Sequence, residues 1–143
     1  MARGYPDFFG MSIFPTYGEL DLDTGDYPIV APAAGTVHNL AFKGVLAGGW
    51  DYAFPVSADL TNYGMIITVD GNAIVNINLA ELISRHDTRS CWPCHALAWD
   101  ADTLILAIGW SREYNFGYQF RVDISTTLWN IAWYSRLNYY NIL

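Results

Sequence analysis

Lysine is almost missing from this 143-residue chain, where Lys43 stands beside six arginines and three glutamates. Charged residues make up 15% of the sequence, against about 25% in a typical soluble domain. A surface with so few charges has to be apolar or neutral over much of its area. Binding phosphates takes a clustered basic patch. Here Arg3, Arg85, Arg89, Arg112, Arg121 and Arg136 are scattered apart from the pair at 85 and 89, and the net charge is −7. Direct nucleic-acid binding is therefore disfavoured. The longest apolar runs, such as 104–110, fall far short of the ~20 residues of a membrane-spanning helix. Residues 1–7 hold no apolar signal core, so the sequence predicts neither a membrane partner nor export by a standard secretion signal.

Local catalytic signatures are lacking too: there is no Gly-x-Ser-x-Gly, no His-Glu-x-x-His and no phosphate loop. Asp23-Thr24-Gly25 matches the Asp-Thr-Gly of aspartic proteases, in which paired carboxylates share a proton and activate water. Asp26 follows where those enzymes carry a small residue, and the surroundings are rich in Pro and Gly, so a plain turn is expected. Cysteine is scarce, with two residues in Cys91-Trp92-Pro93-Cys94-His95. That is the spacing of a c-type haem site, where the thiols bond the vinyl groups and His95 ligates iron. Pro93 and the β-like run 96–99 differ from the usual helical setting, so haem is kept as a minor alternative. Joined by His86 or His38, the same residues make a Cys2His2 zinc set, though without the spacing of a finger. A disulfide between residues three apart cross-links little chain. The expectation is a protein without cofactor or metal, and not an enzyme.

What the chain does have is apolar and aromatic bulk: 52% hydrophobic residues, with six Trp, ten Tyr and seven Phe. One core of this size is unlikely to bury them all, and Tyr and Trp are enriched at contacts between chains. Residues 1–35 hold Pro6, Pro15, Pro28 and Pro32 interleaved with glycines, which reads as an extended N-terminal arm. Its Tyr5, Phe8, Phe9, Ile13, Phe14 and Tyr17 are too apolar for a disordered tail. They are expected to dock on the arm's own domain or on a neighbouring subunit. From Thr36 onward the pattern changes to short β-type runs, near 36–46, 64–70, 73–78, 95–99, 103–110, 117–124 and 128–136. Asp70-Gly71 fits a tight hairpin turn. Residues 79–86 read as a two-turn helix with Asn78 as N-cap and Glu81 as its capping partner. The fold class expected is all-β: an antiparallel, jelly-roll-like β-sandwich over 36–143 preceded by the arm. Two aromatic clusters, Trp50/Tyr52/Phe54 and Trp129/Trp133/Tyr134/Tyr139/Tyr140, suit core or subunit interface, or stacking on sugar rings.

The opening Met-Ala-Arg-Gly-Tyr-Pro-Asp-Phe-Phe-Gly, followed by Ile13-Phe14-Pro15-Thr16-Tyr17-Gly18, resembles the start of small uncharacterised proteins encoded among the virion genes of tailed phages and prophages. Val69-Asp70-Gly71, Trp92-Pro93 before a strand and the run Tyr118–Ile124 are similar to the rest of that group's layout. The resemblance implies a non-enzymatic virion structural protein, capsid- or tail-associated, made in the host cytoplasm. It implies a homo-oligomer, expected as a trimer, assembled with other virion proteins through the sandwich and the arm. The interface is expected at Tyr5, Phe8, Phe9, Ile13, Phe14, Tyr17, Trp129 and Trp133. The alternative is a carbohydrate-binding module of a phage fibre or surface assembly.

Overall fold

In the run YGMIITV, Tyr63, Met65, Ile67 and Val69 fall on one side of an extended chain and are buried, while the residues between them are not. The same period of two buries Phe120, Val122 and Ile124 in FRVDIST. Such one-sided strands need a second apolar face to close against. The computed structural model, which describes residues 16–23, 33–85 and 92–142, shows two antiparallel sheets packed face to face. The strands are β1 (Thr16–Asp23), β2 (Ala33–Leu40), β3 (Gly44–Pro55), β4 (Tyr63–Val69), β5 (Asn72–Asn78), β6 (Cys94–Asp100), β7 (Ile105–Phe116), β8 (Phe120–Thr126) and β9 (Ile131–Asn141). One helix, α1 (Leu79–Ser84), follows β5.

One sheet runs β1-β9-β3-β7-β6 and the other β2-β8-β4-β5. With β6 set aside, first pairs with last, second with second-last, and so inward: β1–β9, β2–β8, β3–β7, β4–β5. This is one long antiparallel ribbon rolled into two interleaved four-stranded sheets, the jelly roll, with β6 added at one edge. The all-β sandwich expected from the sequence is what is found. The helix also has the expected cap: Asn78 Oδ1 accepts the Glu81 N–H at 2.8 Å, and Glu81 Oε1 accepts the Asn78 N–H at 3.5 Å. Because α1 touches both β5 and β6, it plugs the open side of the sandwich between those two edges.

Several stretches differ from the sequence reading. The run expected over 103–110 is a strand from Ile105 to Phe116, and the one expected over 117–124 begins at Phe120, with Tyr118 exposed before it. The single strand expected over 36–46 is two strands, β2 ending at Leu40 and β3 starting at Gly44 and running to Pro55. Gly48-Gly49, which look like a break, lie inside β3 with positive φ of 111° and 146°, at a shift of register against both neighbouring strands. A bulge absorbs them, and Pro55 sits at the last position of the strand, where a missing donor costs least. Thr16–Asp23, read as part of the arm, pairs along its full length with β9 as an edge strand. The strand expected to end at 136 runs on to Asn141.

The Asp70-Gly71 turn does more than reverse the chain. Both residues have positive φ, 51° and 82°, and the Asp70 carboxylate accepts the backbone N–H groups of Gly117, Tyr118 and Gln119 at 2.8, 2.7 and 3.0 Å. The Tyr118 hydroxyl returns a bond to the Asp70 carbonyl at 2.7 Å. One side chain thus ties the β4–β5 hairpin to the β7–β8 connection. The bond from Tyr118, then those from Gly117 and Gln119, hold the Asp70 carboxyl below the ordinary carboxylate range. A lowered native pKa adds stability that is present above the unfolded-state value and is lost as pH falls through the native one. Asp70→Asn should therefore melt at a lower temperature than the parent at neutral pH. The gap should close as pH drops from neutral towards about 2. Circular dichroism melts across that range test this, and a gap independent of pH would refute it.

Candidate interaction surface and the carboxylate beneath it

The centre of β3 reads Trp50-Asp51-Tyr52, and strand alternation sends the carboxylate to one side and both rings to the other. Asp51 points inward and has no exposed surface. A carboxylate out of water costs several kcal/mol unless its lone pairs are met. Three donors meet them: Trp133 Nε1 at 2.8 Å, Trp110 Nε1 at 2.9 Å and His38 Nε2 at 2.8 Å. Trp110 lies on β7 and Trp133 on β9, the two neighbours of β3, while His38 reaches across from β2 in the other sheet. Asp51 therefore clamps the three central strands of one sheet and bolts them to the second. His38 also packs edge-on to Trp110, with centroids 5.6 Å apart.

With Asp51 held inward, Trp50 and Tyr52 have to face out. They are 41% and 42% exposed, with ring centroids 5.1 Å apart. The register extends this outer face in two rows: His95, Gly109, Trp50, Arg136 and Asp21 in one, and Ala98, Ala107, Tyr52 and Tyr134 in the next. Beside them Phe54 meets Tyr134 edge to face at 5.2 Å. On β7 the face has Ile105, exposed at one end, and then only the small residues Ala107 and Gly109. A Cβ on Gly109 would come within 2.6 Å of His95 Nε2 and 3.2 Å of Leu97 Cδ2, so these two side chains lie flat over a position that only glycine permits. The result is an even, largely apolar surface, with Leu97 59% exposed at its margin. An ion pair rims it on the far side, Arg136 donating to Asp21 at 3.0 and 3.2 Å. The outer face of the four-stranded sheet is different in kind: Arg121, Asp123 and Thr36 form a hydrogen-bonded net at 2.6–3.1 Å across β2 and β8.

The residues singled out in the sequence fall in several places. Tyr17 is exposed on β1, packed edge-on to Tyr140 at 5.4 Å, and Trp129 is exposed between β8 and β9. Trp133 is fully buried, with its indole N–H committed to Asp51, so in the single chain it serves the core and offers no surface. Tyr5, Phe8, Phe9, Ile13 and Phe14 lie outside the described residues, as do Cys91 and His86. Cys94 is buried beneath the sheet while His95 lies over Gly109 on its outer side. Neighbouring residues on opposite faces of β6 are not placed to serve one haem or one zinc ion. His38, the other zinc candidate, is bound to Asp51. Asp51 and Trp110 were missed by sequence reasoning, and the signal that marks Asp51 is a lone carboxylate between two aromatics in a β-type run.

No family model and no curated sequence matches the chain. Among solved structures, the cyanophage Pam1 capsid asymmetric unit is a weak neighbour, at 15% identity and a TM-score of 0.40 over 99% of this chain and 93% of that one.

Asp51→Asn should cost about 3–5 kcal/mol in urea unfolding, because its amide turns a donor toward a donor in a buried site. Trp133→Phe keeps the ring and removes one bond to the carboxylate, at about 1.5–3 kcal/mol. Combined, the two should cost less than their sum, since both break the same contact. Additive costs would show that Asp51 does not organise the cluster.

Proposed function

We propose that the chain is a non-enzymatic structural subunit of a phage virion, capsid- or tail-associated, which assembles with copies of itself and with other virion proteins. The observation that carries this reading is the outer face of the five-stranded sheet. Trp50, Tyr52, Ile105 and Leu97 are exposed there together, on a surface kept even by Gly109 and Ala107. Contiguous apolar patches of this kind mark contacts with other macromolecules, and flatness suits a protein face. The polar net on the opposite sheet is the ordinary solvated alternative, so the contrast lies within one molecule. Jelly rolls serve capsid proteins, lectins and cupins alike, and the fold alone does not choose among them. The choice of a virion rests on the resemblance of the opening residues to phage virion proteins.

A carbohydrate-binding role draws on the same two rings. A sugar, however, also needs polar side chains free to bond its hydroxyls, and Arg136, beside Trp50, is already paired with Asp21. The protein face is therefore the better reading.

The test is Trp50→Ala with Tyr52→Ala. Fully burying a large side chain is worth roughly 1.5–3 kcal/mol. Losing two half-exposed ones should weaken association by about tenfold or more, with an unchanged far-UV spectrum and melting temperature. Light scattering at micromolar concentration should find the parent as a multiple of 16.1 kDa, expected as a trimer, and the variant shifted toward the single chain. Incorporation into purified particles should fall in parallel. Equal association of parent and variant, or a parent that stays a single chain and never enters a particle, would sink the proposal.

A further inference from the structure

The outward residues of the five-stranded sheet differ in height on the two sides of β3, its middle strand. Tyr52 stands between Ala107 on β7 and Tyr134 on β9, so one flank is low and the other high. In the next outward row the order reverses. Phe54 has Ala132 on the β9 side and, on the β7 side, Ile105, which precedes the Leu106 that pairs with Ala53. Trp50 lies between Gly109 and Arg136, and there His95 and Leu97 fill the low place from β6. Charged residues otherwise keep to the margins: Glu19 and Asp21 on β1, Asp100 on β6, and Arg112 with Glu113 towards the far end of β7. Arg136 is further in, and Asp21 already neutralises it.

We infer that a second copy of the chain covers this face, turned about a two-fold axis that runs along β3; the inference rests on the assembly reading above. Such an axis exchanges the flanks, laying β9 of each copy over β7 of the other, so that every contact is made twice. Tyr134 then meets Ala107, and Ile105 meets Ala132. Large lies over small in both rows. Trp50, Tyr52 and Phe54 stand on the axis and meet their own counterparts, where aromatic rings pack offset or edge to face. The stem of Arg136 lies on the Leu97 that levels the place above Gly109. An axis across the strands through Tyr52 would instead set Tyr134 on Tyr134 and leave Ala107 against Ala107.

Packed sheets are turned by about 30° to one another, which displaces residues one strand from the axis, ~4.8 Å away, by about 3 Å. Successive outward residues on a strand are ~7 Å apart, so the rows beside β3 still meet. Area points the same way. The five strands hold 8, 11, 12, 12 and 7 residues, and at ~4.8 Å by ~3.4 Å apiece the face measures roughly 800 Å². Each partner contributes about 800 Å² to a stable interface of standard size.

The test exchanges a large and a small residue in the full chain. Ala107→Tyr alone sets ring against ring, and Tyr134→Ala alone leaves a gap. Each should raise the concentration for half-association by about tenfold or more, while circular dichroism stays that of the parent. Both together put the large residue on β7 and the small one on β9, and association should return to within about threefold of the parent. Ala132→Phe with Ile105→Ala makes the same exchange one row on, should Ala107→Tyr fail to fold. Sedimentation equilibrium should give the parent as an even multiple of 16.1 kDa, a pair or, joined by a separate three-fold contact, three pairs. Unchanged association in both single forms, no recovery in the exchanged chain, or a bare trimer held by Trp50 and Tyr52 would overturn the two-fold pairing while leaving the assembly reading to the Trp50 and Tyr52 test. A parent that is a single chain at every concentration would overturn both.

Discussion

A strand has two faces, and a residue with strong needs can fix which is which. In β3 that residue is Asp51. Its carboxylate is satisfied only where two indoles and an imidazole converge, at the middle of the sandwich. Sliding β3 by one residue would push Asp51 to the outside and turn Trp50 and Tyr52 inward, where the space is already taken by Trp110, Trp133 and Phe120. The buried acceptor thereby dictates what the surface shows. It also couples layers: β3, β7 and β9 are clamped side by side, and β2 is drawn down onto them through His38. The exposed aromatic face and the core are thus a single arrangement seen from two sides.

The rolled ribbon accounts for most of what remains. Its pairing brings strands distant in sequence side by side, such as β1 with β9, so the sheets are held by long-range contacts and the turns have to be fixed locally. Asp70 does this at one end by gathering three amides of the β7–β8 connection. Tyr63 does it at the other, accepting from Val56 N–H and donating to the Asn130 carbonyl, both at 3.1 Å. The side of the sandwich that the ribbon leaves open is closed by α1, a helix of one and a half turns that survives on its capping box and on buried Leu79 and Leu82.

Much of this is legible in the sequence where a signal is local. The alternation from Phe120 to Ile124, the Asp70-Gly71 hairpin and the Asn78–Glu81 cap each depend on residues within a few positions, and each is found as read. What depends on distant partners is not legible. Gly48-Gly49 look like punctuation because nothing nearby reveals the bulge that keeps them in β3. Trp133 is on the apolar side of its strand either way, and only Asp51, 82 residues earlier, makes it a core donor instead of surface. Asp51 itself looks like a surface charge until its three partners are in place. The pentapeptide from Cys91 to His95 shows the reverse failure, a local match whose Cys94 and His95 are separated by the thickness of a strand.

The two outer faces of the sandwich have a consequence for how large an object such a subunit makes. One side exposes Trp50 and Tyr52, the face proposed above to adhere; the other, with the Arg121, Asp123 and Thr36 net, already spends its polar groups on one another and offers water an ordinary surface. A particle whose every side adheres grows without end, as crystals and fibres do. A particle adhesive on one side alone stops once that side is covered, because the next arrival meets only the wetted back. On that proposal, growth would limit itself to a single layer, with no separate component needed to end it.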